Sequence, residues 1–241
     1  MTLELKNVSK HYKKKLALNG FTYSFSNGIY ALLGPNGAGK STLMNIIAGV
    51  IAADSGSGIF LDGRSIGELG DDYRSHIGFM PQRNALIDSF SALRFMKYIS
   101  GLQGLKNTDS EIAELLKRVE LYDNRNEKCG GFSGGMKQRL MLAQAMLGSP
   151  DILILDEPTA GLDPRQRVIF REMMREYSEN NIVIVSTHIV SDIETQADNI
   201  IIMKAGEITA SGTNRELIDR YGCPELEELY MKLFGEKDDT E

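Results

Sequence analysis

The chain has 241 residues, of which 42% are hydrophobic and 25% charged, and these values are typical of one substantial globular domain. Its net charge of -6 argues against a general attraction to nucleic acid, because such binding depends on Lys and Arg contacts to phosphates. No apolar run approaches the roughly 18 residues that span a bilayer, and the first residues lack the pattern of a secretion signal, so we expect a cytoplasmic protein. Cys129 and Cys223 form no C-x-x-C pattern, and we expect free thiols.

Two kinds of strand pattern occur in the chain. Apolar and polar side chains alternate in residues 2–8 and 16–25, and a third short run covers Gly58 to Asp62, which together predict a small antiparallel sheet. Four further runs are apolar throughout and predict strands buried on both faces of a mainly parallel sheet. These runs are Tyr30 to Leu33, Ile152 to Leu155, Ile182 to Val185 and Ile200 to Met203. The fold class is therefore predicted to be α/β.

Helical periodicity dominates residues 84–149, where apolar side chains recur at three and four residues. We interpret this segment as a helical subdomain inserted into a core made of residues 1–83 and 150–241. Two more helices are predicted at Asn214 to Arg220 and Leu226 to Phe234, and the charged end, Glu236 to Glu241, is expected to fray.

A phosphate-binding loop lies directly after the first buried strand and before a helical stretch, Leu43 to Ala48. It matches G-x-x-x-x-G-K-[ST] and consists of Gly34, Pro35, Asn36, Gly37, Ala38, Gly39, Lys40, Ser41 and Thr42. Successive backbone N–H groups of such a loop surround the α and β phosphates, Lys40 neutralises the β and γ phosphates, and Ser41 can ligate Mg²⁺. The sequence therefore predicts a nucleoside triphosphate site.

Two carboxylates end the buried run that starts at Ile152. Asp156 is placed to hold the Mg²⁺ shell, and Glu157 follows it on the γ-phosphate side. An isolated Asp-Glu pair is more often a solvated strand end, but the phosphate loop upstream favours the catalytic interpretation.

Ser133, Gly134 and Gly135 precede a predicted helix, Met136 to Leu147, and form a second candidate anion site. The start of a helix offers free N–H groups and the positive end of the helix dipole. Two anion sites in one small chain require an explanation.

The order of these motifs resembles that of the ABC ATPases, across roughly residues 2 to 234. The resemblance implies a P-loop NTPase core, with ATP and Mg²⁺ bound between two copies that close head to tail, so that one copy's Ser-Gly-Gly signature meets the other's ATP. The sequence departs from the usual Leu-Ser-Gly-Gly-Gln at Phe132 and Met136. Met136 cannot make the hydrogen bonds of a Gln side chain.

The resemblance also implies roles for single residues. Glu157 would polarise the attacking water, His188 would contact the γ phosphate, and Gln82 would touch Mg²⁺ and water. Asp163 would lie at the dimer interface, and Tyr12 would stack on adenine. The metal ligands would be Ser41, Gln82 and Asp156. The basic cluster Lys10 to Lys15 around Tyr12 is either part of this site or a solvated loop.

The implied function is that of an ABC transporter subunit, possibly of the bacterial exporter type, which hydrolyses ATP to drive a separate membrane permease. Its partners would be an identical or related ABC ATPase subunit and the permease, without nucleic acid. The many apolar residues from Phe79 to Tyr98 would include the groove that receives a cytoplasmic helix of the permease. The alternative is a soluble ABC-type ATPase acting on ribosomes or DNA, although such relatives usually carry two cassettes or a long coiled coil. A binding module without turnover is disfavoured because both Glu157 and His188 are present.

Overall fold

The computed structural model of the chain describes residues 1–83 and 85–235. Its strands are β1 (Leu3–Tyr12), β2 (Lys15–Phe25), β3 (Gly28–Leu33), β4 (Gly58–Leu61), β5 (Arg64–Ser65), β6 (Ile77–Met80), β7 (Ile152–Asp156), β8 (Ile182–Thr187), β9 (Asn199–Lys204) and β10 (Glu207–Gly212). Its helices are α1 (Lys40–Ile47), α2 (Ile66–Leu69), α3 (Asp71–Ser75), α4 (Ala92–Leu102), α5 (Asp109–Arg118), α6 (Gly134–Met146), α7 (Pro164–Ser178), α8 (Asn214–Tyr221) and α9 (Leu226–Phe234). Both thiols are free.

The larger sheet has six strands in the order β10-β9-β3-β8-β7-β6. Its strands are parallel except for β10, which is antiparallel to β9. Every residue of β3, β7 and β8 is buried, which explains why these strands read as continuous apolar runs. The prediction of a mainly parallel α/β sheet is confirmed.

The smaller sheet is antiparallel, in the order β2-β1-β4-β5. It confirms the predicted N-terminal sheet, but β1 and β2 are longer than predicted. Tyr12 pairs with Lys15, so the interpretation of Lys10 to Lys15 as a loop is wrong except at the turn formed by Lys13 and Lys14. The lysine side chains at the end of the β1–β2 hairpin extend into water although their backbone is paired. A lysine-rich composition therefore did not indicate that β1 and β2 continue into this segment.

Strand β6 was not predicted, because its four residues include a glycine and give a weak strand signal. It pairs with β7 in parallel, with Ile77 opposite Ile152. A Cβ atom at Gly78 would collide with the carbonyl oxygen of Ala145, so the glycine lets α6 pack closely on this edge of the sheet.

Helices α4, α5 and α6 lie within residues 84–149 and share one hydrophobic cluster with one face of the large sheet. Helices α1 and α6 begin earlier than predicted, at Lys40 and Gly134, because the helix starts are set by the capping residues and not by the first apolar side chain. The predicted boundary residue Asn84 and the end of the chain, Glu236 to Glu241, lie outside the described residues, and the division into core and subdomain stays a prediction. Within 1–83 and 85–235, no helix has the length and apolar character needed to cross a membrane.

Candidate nucleotide-binding site

The phosphate loop runs from the end of β3 to the start of α1. Gly39 caps the helix with a φ of 106°, and a Cβ atom at this position would lie 2.6 Å from the Ala17 carbonyl oxygen of β2. A side chain here would therefore both strain the backbone and push the phosphate loop away from β2. The loop is thus held directly beneath the β1–β2 hairpin.

Lys40 is buried, and its Nζ donates hydrogen bonds to the carbonyl oxygens of Gly34 at 2.6 Å and Pro35 at 3.1 Å. Burial lowers the pKa of the Lys40 ammonium, and the nearby carboxylates of Glu157 and Asp156 partly oppose that shift. The loop thus holds a cation with limited access to water, and this cation is suited to an anionic ligand.

A cavity of about 320 Å³ brings together residues from four separate segments of the chain, and its size lies within the range of small-molecule sites. It is lined by Tyr12, Lys15, Ala17, Asn36, Gly37, Ala38, Gly39, Lys40, Ser41, Thr42, Gln82, Asp156 and Glu157. Most of the predicted nucleotide residues therefore border one cavity. Gly34 and Pro35 do not line it but accept the hydrogen bonds of Lys40.

The carboxylates of Asp156 and Glu157 are both buried at the carboxyl end of β7. Ser186 of β8 contacts both residues, because its hydroxyl donates to Asp156 Oδ1 and its oxygen accepts the Glu157 backbone N–H at 3.0 Å. Glu157 has a φ of 53°, in the left-handed region that residues with a Cβ atom rarely adopt. Such strain is found mainly where the surrounding structure enforces it, often at functional sites.

His188 follows β8 and lies against Glu157. Its Nδ1 is 3.0 Å from each carboxylate oxygen of Glu157. This contact fixes the direction of the carboxylate, and it also makes the imidazole part of the same site although His188 does not line the cavity itself.

Tyr12 stands at the end of β1, at the rim of the cavity, with its side chain about half exposed. The Nζ of Lys10 lies 5.8 Å from the centre of the Tyr12 ring. An exposed aromatic face at the rim of a phosphate-binding cavity is available for stacking on a base.

The oxygen atoms at the cavity suit Mg²⁺. Ser41, Gln82 and Asp156 border it and offer a hydroxyl, an amide carbonyl and a carboxylate, which are the hard ligands that Mg²⁺ accepts. Among the residues that the structure describes, no group of three or more His, Cys, Asp or Glu side chains could hold a metal ion by itself. The donor set therefore fits an ion that is held partly by phosphate oxygens.

The Ser133-Gly134-Gly135 segment does not line this cavity. Ser133 caps α6 by accepting the Met136 N–H at 3.2 Å, and Ser133 and Gly134 are exposed. Met136, which stands where the family usually has Gln, packs against the hydrophobic cluster. Asp163 caps α7 in a reciprocal pair with Gln166 and is also outside the cavity.

Two groups of this site were not predicted. Ser186 precedes His188 by two positions, but only the pairing of β7 with β8 shows that it contacts the Asp156 carboxylate and the Glu157 backbone N–H. Gln138 is buried, and its Nε2 donates to the carbonyl oxygens of Glu157 and Pro158, each at 3.0 Å. The sequence signal for Gln138 was a polar residue within the predicted helix Met136 to Leu147, and it does not show what the side chain contacts.

Comparison with known proteins agrees with this geometry. The family described as ABC transporter matches residues 18–160. An ABC transporter ATP-binding protein of Bacillus subtilis strain 168 named YxlF is 39% identical over 89% of this chain and 72% of its own length. The linearmycin resistance ATP-binding protein LnrL of the same organism is 35% identical over 97% of this chain and 76% of its own length.

Solved structures give the same result. The ATP-binding subunit of an ABC transporter superposes with a TM-score of 0.87 at 29% identity and covers 97% of this chain and 99% of its own. The dimeric structure of MJ0796, a bacterial ABC transporter cassette, has a TM-score of 0.79 at 26% identity and covers 88% of this chain and 98% of its own. The fold and the site define a P-loop ATPase cassette. The chain belongs to the ABC transporter family and is an ATP-binding subunit of that family.

Proposed function

We propose that two copies of this cassette, or one copy and a related subunit, close head to tail around two MgATP molecules and hydrolyse them to drive a separate membrane permease. The observation that carries the proposal is the separation of two anion-binding features on one chain. The cavity at the phosphate loop gathers Lys40, Asp156 and Glu157, whereas the exposed start of α6 at Ser133 and Gly134 lies outside it. The second feature is available to another subunit's nucleotide.

Within one site, the phosphate loop and Lys40 would bind the β and γ phosphates. Ser41, Gln82 and Asp156 would hold Mg²⁺, which when bound neutralises phosphate charge. Tyr12 would stack on adenine and fix the orientation of the nucleotide at the rim of the cavity.

Glu157 would act as the general base that accepts a proton from the attacking water. Its carboxylate borders the cavity, and His188 holds it by Nδ1. His188 would also orient the γ phosphate from its position beside Glu157. Both side chains lie at the carboxyl ends of β7 and β8, the same edge of the parallel sheet at which the phosphate loop follows β3.

The subunit would sit on the cytoplasmic face of the membrane through its permease. Ser133, Gly134 and Gly135 would contact the ATP of the opposite subunit, and Asp163 would lie at the interface between the two. Export is the favoured direction because LnrL is named for resistance to linearmycin.

The hydrolysis test compares Glu157→Gln with the unchanged protein. The variant should bind MgATP normally, because the phosphate loop is intact, and should lose about 10²- to 10⁴-fold in turnover, the usual contribution of a general base. Phosphate release measures turnover, and calorimetry measures binding. Glu172→Gln, an exposed glutamate on α7, is the matched control and should behave as the unchanged protein. Near-normal hydrolysis by Glu157→Gln would contradict the assigned base.

A further inference from the structure

We propose that Gln138 is a positioning residue for Glu157 and holds the backbone of the general base in its left-handed conformation. The inference rests on the proposed function of Glu157 and adds a residue that acts on the reaction without touching the nucleotide. Gln138 lies on α6, the helix that also carries Ser133 at its start.

The contacts of Gln138 leave one orientation for its amide. The side chain is 8% exposed, and its NH₂ group faces two carbonyl oxygens, those of Glu157 and Pro158, each at 3.0 Å. Carbonyl oxygens only accept hydrogen bonds, whereas the amide nitrogen carries two hydrogens. Both hydrogens are therefore directed at the two consecutive carbonyls that follow β7.

The backbone of Glu157 needs such a support. Its φ of 53° lies in the left-handed region, which is strained for a residue with a Cβ atom, and the ring of Pro158 further restricts the residue that precedes it. The peptide groups on both sides of Glu157 are held from different elements. Ser186 of β8 accepts its N–H at 3.0 Å, and Gln138 of α6 binds its carbonyl oxygen.

The position of the carboxylate depends on this backbone, because φ sets the direction in which Cβ leaves the chain. His188 fixes the far end of the Glu157 side chain, and Gln138 and Ser186 fix its near end. None of these contacts involves the phosphate loop. Loss of the Gln138 amide should therefore move the base relative to the γ phosphate while nucleotide binding is retained.

The same helix would then serve two sites. Gln138 follows Ser133 by five positions, about 7.5 Å along a helix axis. The start of α6 would face the partner subunit's ATP, and the next turns hold the base of the site in its own subunit.

The test replaces Gln138 by Met, which keeps the length of the side chain and removes the amide. Displacement of a catalytic group by about 1 Å can cost about 10²-fold, so kcat should fall about 10- to 100-fold while the affinity for MgATP is unchanged. Gln144→Met is the matched control, because Gln144 lies half-buried on the same helix and the hydrogen bonds to the carbonyl oxygens of Glu157 and Pro158 come from Gln138. This control should keep the kcat of the unchanged protein.

A double-mutant cycle separates positioning from a general structural effect. In a Glu157→Gln background the base is already absent, so adding Gln138→Met should reduce the residual single-turnover rate no further. The inference would be overturned by an unchanged kcat in Gln138→Met, by an equal fold-loss in both backgrounds, or by a loss confined to MgATP affinity. Near-normal hydrolysis by Glu157→Gln alone would instead overturn the proposed function of Glu157.

Gln138→Asn keeps the test decisive should the Met variant fail to fold. The shorter side chain withdraws the amide by one methylene and keeps its polarity. Circular dichroism and the thermal midpoint establish folding, and a folded Gln138→Asn should show the same loss of kcat without loss of affinity. A folded Asn variant with the kcat of the unchanged protein would also overturn the inference.

Discussion

The buried charge of Lys40 disfavours folding but favours the binding of a phosphate. Its ammonium is buried and satisfied only by loop carbonyls at 2.6 and 3.1 Å, and burial lowers its pKa. Keeping a charge in such a place costs free energy, and a phosphate is the ligand that compensates for it. The loop therefore holds Lys40 for binding and not for folding.

Lys40→Ala should weaken MgATP binding about 10- to 100-fold, because a hydrogen bond to a charged group contributes about 1.5 to 3 kcal/mol. Calorimetry with MgATP measures the dissociation constant. Lys14→Ala, in the exposed turn between β1 and β2, is the control and should bind normally. Unchanged affinity in Lys40→Ala would contradict the assignment of the phosphate loop.

The position of the proposed phosphate loop was predictable from the sequence, since a short motif encodes the local backbone geometry of Gly34 to Thr42. Asp156 and Glu157 were expected at the end of a strand, and the structure places them at the end of β7 beside the same cavity. Ser186 and Gln138 were not found, since each acts only where β8 or α6 meets the end of β7. Such contacts depend on the tertiary structure and leave no periodic signal in one sequence.

At the scale of elements, the β1–β2 hairpin that carries Tyr12 is tied to the segment after α1. Asp54 Oδ2 accepts the His11 backbone N–H at 2.8 Å and lies 2.7 Å from the ring Nδ1 of His11. Lys10 adds a hydrogen bond from Nζ to the Ala52 carbonyl oxygen at 2.5 Å. The end of β1, with its aromatic ring, is therefore anchored next to the cavity.

Asp54→Ala should weaken MgATP binding by about 10-fold or less, because it frees the strand end that positions Tyr12 without touching the phosphate loop. The effect should disappear in a Tyr12→Ala background and for tripolyphosphate, which has no base to stack. Fluorescence titration measures the dissociation constants of the unchanged protein, Asp54→Ala, Tyr12→Ala and the double variant. An equal loss of tripolyphosphate affinity would show that Asp54 acts on the loop and not on the hairpin.

The stability that the His11–Asp54 contact contributes depends on pH. The His11 side chain holds the pKa of the Asp54 carboxyl below its ordinary value of 3.8. Because folding lowers this pKa, the stability that the contact contributes is complete above pH 3.8 and is lost as the pH falls through the lower, folded value. Any difference in unfolding midpoint between the unchanged protein and Asp54→Ala should therefore become smaller as the pH falls below 3.8.

Helix α4 carries exposed apolar side chains in the part of the chain that follows Gln82. The predicted docking groove lies between Phe79 and Tyr98, but Leu86, Ile87 and Phe90 are half-buried and Phe95 is buried. Tyr98 and Leu102, at the end of α4, are 45% and 67% exposed. Amphipathic patterning predicts a helix but cannot tell which apolar residues its neighbours cover, and the candidate surface therefore shifts toward the end of α4.

Leu102→Glu should reduce membrane co-sedimentation with the cognate permease, because an exposed apolar side chain at the proposed docking surface is replaced by a charge that must be desolvated. ATP binding by the isolated subunit should not change. Val168→Glu, at an exposed apolar position on α7, is the control. Undiminished co-sedimentation, or sedimentation with ribosomes, would favour a soluble ABC-type ATPase over the transporter subunit.

At the scale of the whole molecule, the two features that we propose to contact ATP lie apart on one chain. Ser133 and Gly134 are exposed and outside the cavity, while Lys40 and Glu157 border it. In the proposed arrangement a complete site needs the start of α6 from another subunit, and MgATP would join the two surfaces. The requirement for a second subunit was implied by the order of motifs, and the separation of the motifs in the fold supports it.

The most direct test of this account is the molar mass of Glu157→Gln in solution, measured by light scattering on a sizing column with and without saturating MgATP. Since turnover is blocked, we predict a shift from monomer to dimer when MgATP is added. Adding Ser133→Arg should prevent the shift, because a bulky cation would occupy the surface for the other subunit's γ phosphate, whereas Ser133→Thr should allow it by keeping a hydroxyl that caps α6. A Glu157→Gln protein that stays monomeric while saturated with MgATP, or a Ser133→Arg variant that dimerises normally, would contradict the head-to-tail arrangement.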